Sequence, residues 1–205
     1  MHGYSDRVSH AFAFSAKYYG TRPPATSPMA YLAHPANVAV ILARYGADET
    51  TVVAGILHHA LEEADGAQRA SLGRKIADKF GSIVLAVAVD ALEPRYDARG
   101  AERPWRSCKL EFLTHLAEAE PRALDICVAD EMQWCGNTAT ALRRLGSEYC
   151  RTVSRATSEQ TIWWYRSMLE VLEARREWPG QPMLAELRRM SAQLVRGLRQ
   201  SEELP

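Results

Sequence analysis

Three observations predict an all-α fold. Apolar residues recur at three- and four-residue steps almost throughout the chain, the period of a helix laid against a core. No run of alternating apolar and polar residues bounded by turn signals suggests a hairpin. The 205 residues, 47% hydrophobic and 24% charged, match an ordinary globular composition and suffice for a sizeable core in a single domain.

Val8, Phe12, Ser15–Ala16 and Tyr19 share a helical step, which predicts a first helix over Asp6 to Tyr19. Gly20 to Pro28 carries three prolines and a glycine and reads as a loop. Pro35 suits the first turn of a second helix that runs to Tyr45 and stops at Gly46. Asp48 then caps a third helix, Glu49 to Glu63, with Val52, Val53, Ile56 and Leu57 turned inward. A turn is expected over Ala64 to Arg69, followed by a short helix from Leu72 to Phe80 that ends at Gly81.

Ser82 to Leu92 is apolar enough for a buried helix or a strand, and its alanines favour helix. Glu93 to Pro104 reads as a polar loop. Longer helices are expected over Trp105 to Ala119, Pro121 to Leu145 and Thr157 to Trp178, and a last one over Pro182 to Gln200. Trp163, Trp164 and Tyr165 with Met168, Leu169 and Leu172 suit core or dimer packing, or a stacking platform. Leu184, Leu187, Met190, Leu194 and Leu198 form a stripe on the last helix that can dock on the same chain or on a second copy. The expected organisation is one domain over residues 1–150, with C-terminal helices over 151–205 packing on it.

Twenty-five Lys and Arg balance 25 Asp and Glu. That balance leaves no basic field for a nucleic-acid backbone or an anionic membrane. Cys108, Cys127, Cys135 and Cys150 lack any C-x-x-C spacing, which argues for reduced thiols rather than a zinc knuckle or a disulfide framework. The N-terminus lacks the apolar core of a signal peptide, and no apolar run approaches the roughly 20 residues of a membrane span. A cytoplasmic protein is the expectation.

The polar residues worth most are those set among apolar ones. In Ile56-Leu57-His58-His59-Ala60-Leu61-Glu62-Glu63, His58 and Glu62 share one helix face, as do His59 and Glu63. Imidazoles with carboxylates one turn on can supply metal ligands and an acid/base group together. The bland alternative is the polar end of a buried helix. His34 stands at a loop-to-helix junction, and Asp130–Glu131 interrupts the apolar string Ile126-Cys127-Val128-Ala129. A buried unpaired carboxylate is costly, and either a cation or a buried arginine would offset it.

Taken in order, these motifs resemble the HD-domain metal-dependent phosphohydrolases, and more closely the RelA/SpoT-type branch that removes the 3′-pyrophosphate of guanosine tetra- and pentaphosphate. The resemblance rests on AFAFSA (11–16), Tyr31-Leu32-Ala33-His34-Pro35 with Val38, Ala39 and Leu42, AGILHHALEE (54–63), and Phe80-Gly81 with Val84. Pro104-Trp105-Arg106-Ser107-Cys108-Lys109 and Ala129-Asp130 complete it, over about residues 6 to 175. It implies an HD-domain-like helical bundle and one divalent metal, commonly Mn²⁺, held by His34, His58, His59 and Asp130.

The resemblance further implies that Glu62 and Glu63 position and deprotonate the attacking water. Arg22, Arg106 and Lys109 are then candidate phosphate contacts, and the expected partner is a small nucleotide or phosphate ester. A homodimer fits the same picture. Four departures accompany these matches. His59 stands where the name-giving aspartate is usual, which shifts preference towards Zn²⁺, Fe²⁺ or Ni²⁺. Glu131 replaces a lysine, Trp134 an asparagine and Tyr19 a histidine. A phosphohydrolase is therefore weighed against a degenerate HD domain that binds a ligand or protein without turnover, and against a purely structural helical module.

Overall fold

In the computed structural model, which describes residues 4–19, 32–64, 66–97, 99–146, 148–149 and 156–203, the chain is helical, with a single isolated bridge between Tyr96 and Glu102 among the described residues. The helices are α1 (Asp6–Tyr19), α2 (Ala33–Arg44), α3 (Glu49–Glu63), α4 (Gly66–Phe80), α5 (Ser82–Asp90), α6 (Trp105–Leu116), α7 (Pro121–Leu145), α8 (Ser158–Ala174) and α9 (Gln181–Glu203).

The centre of the bundle is α3. Asp48 caps it, its Oδ1 accepting from the Thr51 backbone N–H at 2.8 Å and from Thr51 Oγ1 at 2.7 Å. Asp48 Oδ2 also receives Arg122 Nη2 at 2.8 Å, fixing the start of α3 against the start of α7. Every residue from Thr51 to Leu61 is buried, because α1, α2, α4, α5 and α7 all pack around this one helix. Gly55 lets α2 approach: a Cβ there would come within 2.5 Å of Leu42 Cδ1.

Helix α4 begins at Gly66, so the turn expected over Ala64 to Arg69 is only its first part. Arg69 explains the difference. It reaches back from the first turn of α4, donating from Nε to the Leu61 carbonyl at 2.9 Å and from Nη2 to that of Glu62 at 3.2 Å. The last carbonyls of α3 are thereby satisfied by a side chain instead of a longer loop. The apolar stretch from Ser82 is a helix, entered at Gly81 with φ +98°.

Helix α8 opens with a capping box between Thr157 and Gln160 and stops at Ala174, short of the expected Trp178. Arg175 leaves the helix to donate to the carbonyls of Leu116 and Ala119, at 2.8 and 2.9 Å. Those acceptors close the end of α6, which itself stops at Leu116 and not at Ala119. Trp178 is buried beyond this turn, donating from Nε1 to Asp125 Oδ1 at 2.9 Å. Its ring lies over Gly180, where a Cβ would fall 2.1 Å from it.

The C-terminal helix runs to Glu203, past the expected Gln200. Its apolar stripe docks on the same chain's α7: Leu184, Leu187, Leu194 and Leu198 are buried, and Met190 Cε packs beside Gly136. Trp164, Tyr165, Met168 and Leu172 of α8 join the same core, with Trp163 and Leu169 partly buried against it. No helix among the described residues is long and apolar enough to cross a membrane.

Candidate metal centre

Three helices bring the polar motifs together. The first turn of α2 supplies His34, the last turns of α3 supply His58 and His59, and the middle of α7 supplies Asp130. One ligand atom each from His34, His58 and Asp130 lies within 4.8 Å of the others. His34 Nε2 is 2.7 Å from Asp130 Oδ1, and His58 Nε2 is 3.6 Å from the same oxygen.

The protonation pattern follows from the contacts. His58 Nδ1 sits 2.7 Å from the Gly55 carbonyl oxygen, which can only accept, so Nδ1 donates there and Nε2 is the nitrogen turned to Asp130. Burial keeps the His34 imidazole below its usual pKa despite the neighbouring Asp130. Burial works in the opposite sense on Asp130, yet the imidazoles of His34 and His58 hold it well below the ordinary carboxylate range. The result is two imidazoles facing one ionised carboxylate.

His34 Nε2 and Asp130 Oδ1 are buried atoms that make no hydrogen bond of acceptable geometry, close as they are. Donors that approach one another without bonding are what a shared cation requires. The residues present therefore fit a divalent ion held by two imidazole nitrogens and a carboxylate oxygen.

His59 is directed elsewhere. Its ring packs 4.2 Å from that of His34, but its nitrogens face the carboxylates one turn on, Nδ1 at 3.6 Å from Glu62 and Nε2 at 3.2 Å from Glu63. Burial opposes a charge there, yet those two carboxylates raise the imidazole to about 10. The Glu62 carboxyl is likewise held down by His59 against its own burial. His59 thus stands beside the three clustered donors with its nitrogens turned to two acids.

The expected phosphate contacts are distributed differently. Lys109 is buried, its Nζ 2.8 Å from Glu93 Oε2, 3.9 Å from Glu131 Oε1 and 4.0 Å from the centre of the Trp164 ring. Burial works against its charge, while Glu131 and Glu93 raise its pKa. Arg106 is exposed, with its guanidinium 3.6 Å over Trp163. Arg22 lies outside the described residues, as do Tyr31 and Cys150.

Glu131 turns away from Asp130 and accepts from Trp164 Nε1 at 2.8 Å. Burial lifts its carboxyl to about 7 against the pull of Lys109. Glu131 stands where the resemblance implies a lysine, and the Lys109 ammonium from α6 lies 3.9 Å from it. Sequence reasoning missed Glu93, since a loop acid 16 residues before its lysine leaves no periodic signal. The His58–Gly55 bond was in principle readable from i,i−3 spacing.

With this geometry in hand, the comparison with known proteins is decisive for the family: the HD domain model matches residues 11–133. The chain belongs to the HD domain family. A curated relative, a guanosine-3′,5′-bis(diphosphate) 3′-pyrophosphohydrolase of Aquifex aeolicus (strain VF5), is 31% identical over 81 residues, which are 40% of this chain. The match spans 11% of that relative's length.

Two solved structures share the HD domain fold. The crystal structure of lmo0812 from Listeria monocytogenes EGD-e has a TM-score of 0.64 at 20% identity, covering 85% of this chain and 99% of that one. A metazoan ortholog of SpoT, described as hydrolysing ppGpp and acting in starvation responses, has a TM-score of 0.62 at 18% identity, covering 98% and 96%. His34, His58 and Asp130 of this HD domain all fall within the matched segment.

Proposed function

We propose that this HD domain is a metal-dependent phosphohydrolase acting on a nucleotide-type phosphate or pyrophosphate ester, in the manner of the guanosine bis(diphosphate) pyrophosphohydrolases. The observation that carries this reading is the convergence of His34, His58 and Asp130, two of whose buried ligand atoms lack a hydrogen-bond partner.

Those three side chains would hold the ion. A divalent cation bound there supplies an acidified water and offsets charge on the phosphoryl oxygens. Glu62 and Glu63 lie one helical turn from His58 and His59, and one of them accepts the proton of the attacking water. His59, facing both carboxylates at 3.6 and 3.2 Å, orients them. Arg106, and Arg22 in the α1–α2 connection, are the proposed phosphate contacts. Lys109, committed to Glu93 and Glu131, acts by positioning α7. Mn²⁺ is the metal favoured by family resemblance, with Zn²⁺, Fe²⁺ and Ni²⁺ compatible with the imidazole-rich set. A cytoplasmic nucleotide is the partner this reading implies.

One observation favours a second reading. His59 ties up both acids, so the domain would bind its ligand without turning it over. Elemental analysis of the purified protein, with phosphate and pyrophosphate release from a nucleotide panel in Mn²⁺, Zn²⁺ and Fe²⁺, separates the two. Stoichiometric metal with release from at least one nucleotide is the expected result. Metal without turnover on any substrate would favour the binding domain, and protein that takes up no metal would end both.

A further inference from the structure

We propose that Trp134 is a binding residue for the base of a nucleotide ligand, its indole forming an aromatic wall at the rim of the His34–His58–Asp130 group. The inference rests on the nucleotide reading above and extends it to a specific recognition element.

Trp134 follows Asp130 by four residues on α7, so the two share one face of the helix. The offset along the axis is about 6 Å. The indole centroid lies 5.6 Å from the His34 ring, and His34 is in turn 4.2 Å from His59. A row of rings therefore leads from the rim into the donor group.

The exposure of this side chain is out of keeping with its neighbours. Ile126, Val128, Ala129, Met132 and Cys135 are all at most 6% exposed, whereas Trp134 is 45% exposed. Exposed large apolar side chains are common singly and need no explanation by themselves. Among those of the described residues, Trp134 is set apart because its ring contacts a donor imidazole.

An open indole face at such a rim suits a planar, neutral, polarisable group. Nucleobases stack on aromatic side chains whatever their hydrogen-bonding edges, since each has a π-face. A phosphate at the donors and a base on Trp134 would occupy adjacent turns of one helix, a separation a nucleotide bridges through its ribose. An asparagine in this position would offer hydrogen bonds but no such surface.

The test is calorimetric titration of the full chain, loaded with Mn²⁺, with GDP and with inorganic pyrophosphate, which share a diphosphate and differ in the base. Trp134→Ala is expected to weaken GDP about tenfold, within the range of base stacking, and to leave pyrophosphate and Mn²⁺ affinities within about twofold. Trp134→Phe, which retains a ring, should keep most of the GDP affinity. Equal weakening of both probes, or loss of Mn²⁺, would show that Trp134 only supports His34 and would overturn the inference. Unchanged GDP binding in Trp134→Ala would overturn it too, with the phosphohydrolase reading intact. A wild-type protein that binds neither probe with Mn²⁺ would overturn both.

Discussion

His58 and Gly55 are joined within one turn of α3, the imidazole Nδ1 2.7 Å from the carbonyl oxygen, so the ring's orientation is set by its own helix before any ligand arrives. Its free nitrogen then points at Asp130, which approaches from α7. A site prepared in this way should lose its ion when a donor is removed, with little change in fold. His34→Ala and Asp130→Ala are each expected to lower metal affinity by more than the ~10–100-fold typical of outer-shell partners. Elemental analysis after dialysis measures this, and undiminished stoichiometry in both would place the ion elsewhere.

Replacing His59 tests the charge arrangement. His59→Asp exchanges an imidazole for a third carboxylate beside Glu62 and Glu63. The metal-free variant should melt below the wild type because like charges crowd a buried place. Mn²⁺ should raise its melting temperature by more than it raises that of the wild type, since binding to the native state stabilises in proportion to affinity. Equal or smaller Mn²⁺-induced shifts in the variant would refute the idea that a carboxylate at position 59 strengthens Mn²⁺ binding.

Lys109 holds two acids from different elements, Glu93 and Glu131. Lys109→Met leaves both carboxylates buried without their ammonium, a change of about 3–5 kcal/mol by the usual cost of breaking a buried pair. Urea denaturation gives the number. A variant of wild-type stability with a selectively raised KM would return Lys109 to the substrate.

Trp178→Ala should cost about 3–5 kcal/mol, the ordinary loss for emptying a large aromatic site, with the Asp125 carboxylate also deprived of its donor. Trp178→Phe keeps one aromatic ring and loses the pyrrole half with its hydrogen bond, so it should cost less, about 1–3 kcal/mol. Thermal denaturation of the two variants measures both losses, and equal losses would show that the six-membered ring contributes little to the packing there.

Much of the fold was legible because helical information is local. The cap at Asp48, the stop at Gly46 and the proline opening α7 each act within a turn, and α1, α3 and α7 have the bounds their sequences suggest. Where expectation failed, a distant partner intervened. Arg69 lets α4 start early by closing α3, and Arg175 ends α8 by serving carbonyls almost 60 positions away. The order of His34, His58 and Asp130 was readable from the motifs, but their mutual distances were not. The direction of His59 depends on the orientation of a ring between two glutamates, and the Lys109 pairing depends on where a loop carries Glu93. Neither has a periodic signature.

The seating of α9 on α7 bears on how such a chain can be shortened. Where Gly197 crosses α7, a single added carbon would come 3.0 Å from Leu142 Cδ2, so the two helices meet almost backbone to side chain. The family-matched segment ends at residue 133, inside α7 and well before the partner that covers it. Trimming the protein to that segment would cut the helix that carries Asp130 three residues past the carboxylate and discard its apolar cover. The helix that carries Asp130 and the tail that covers it are packed as one unit.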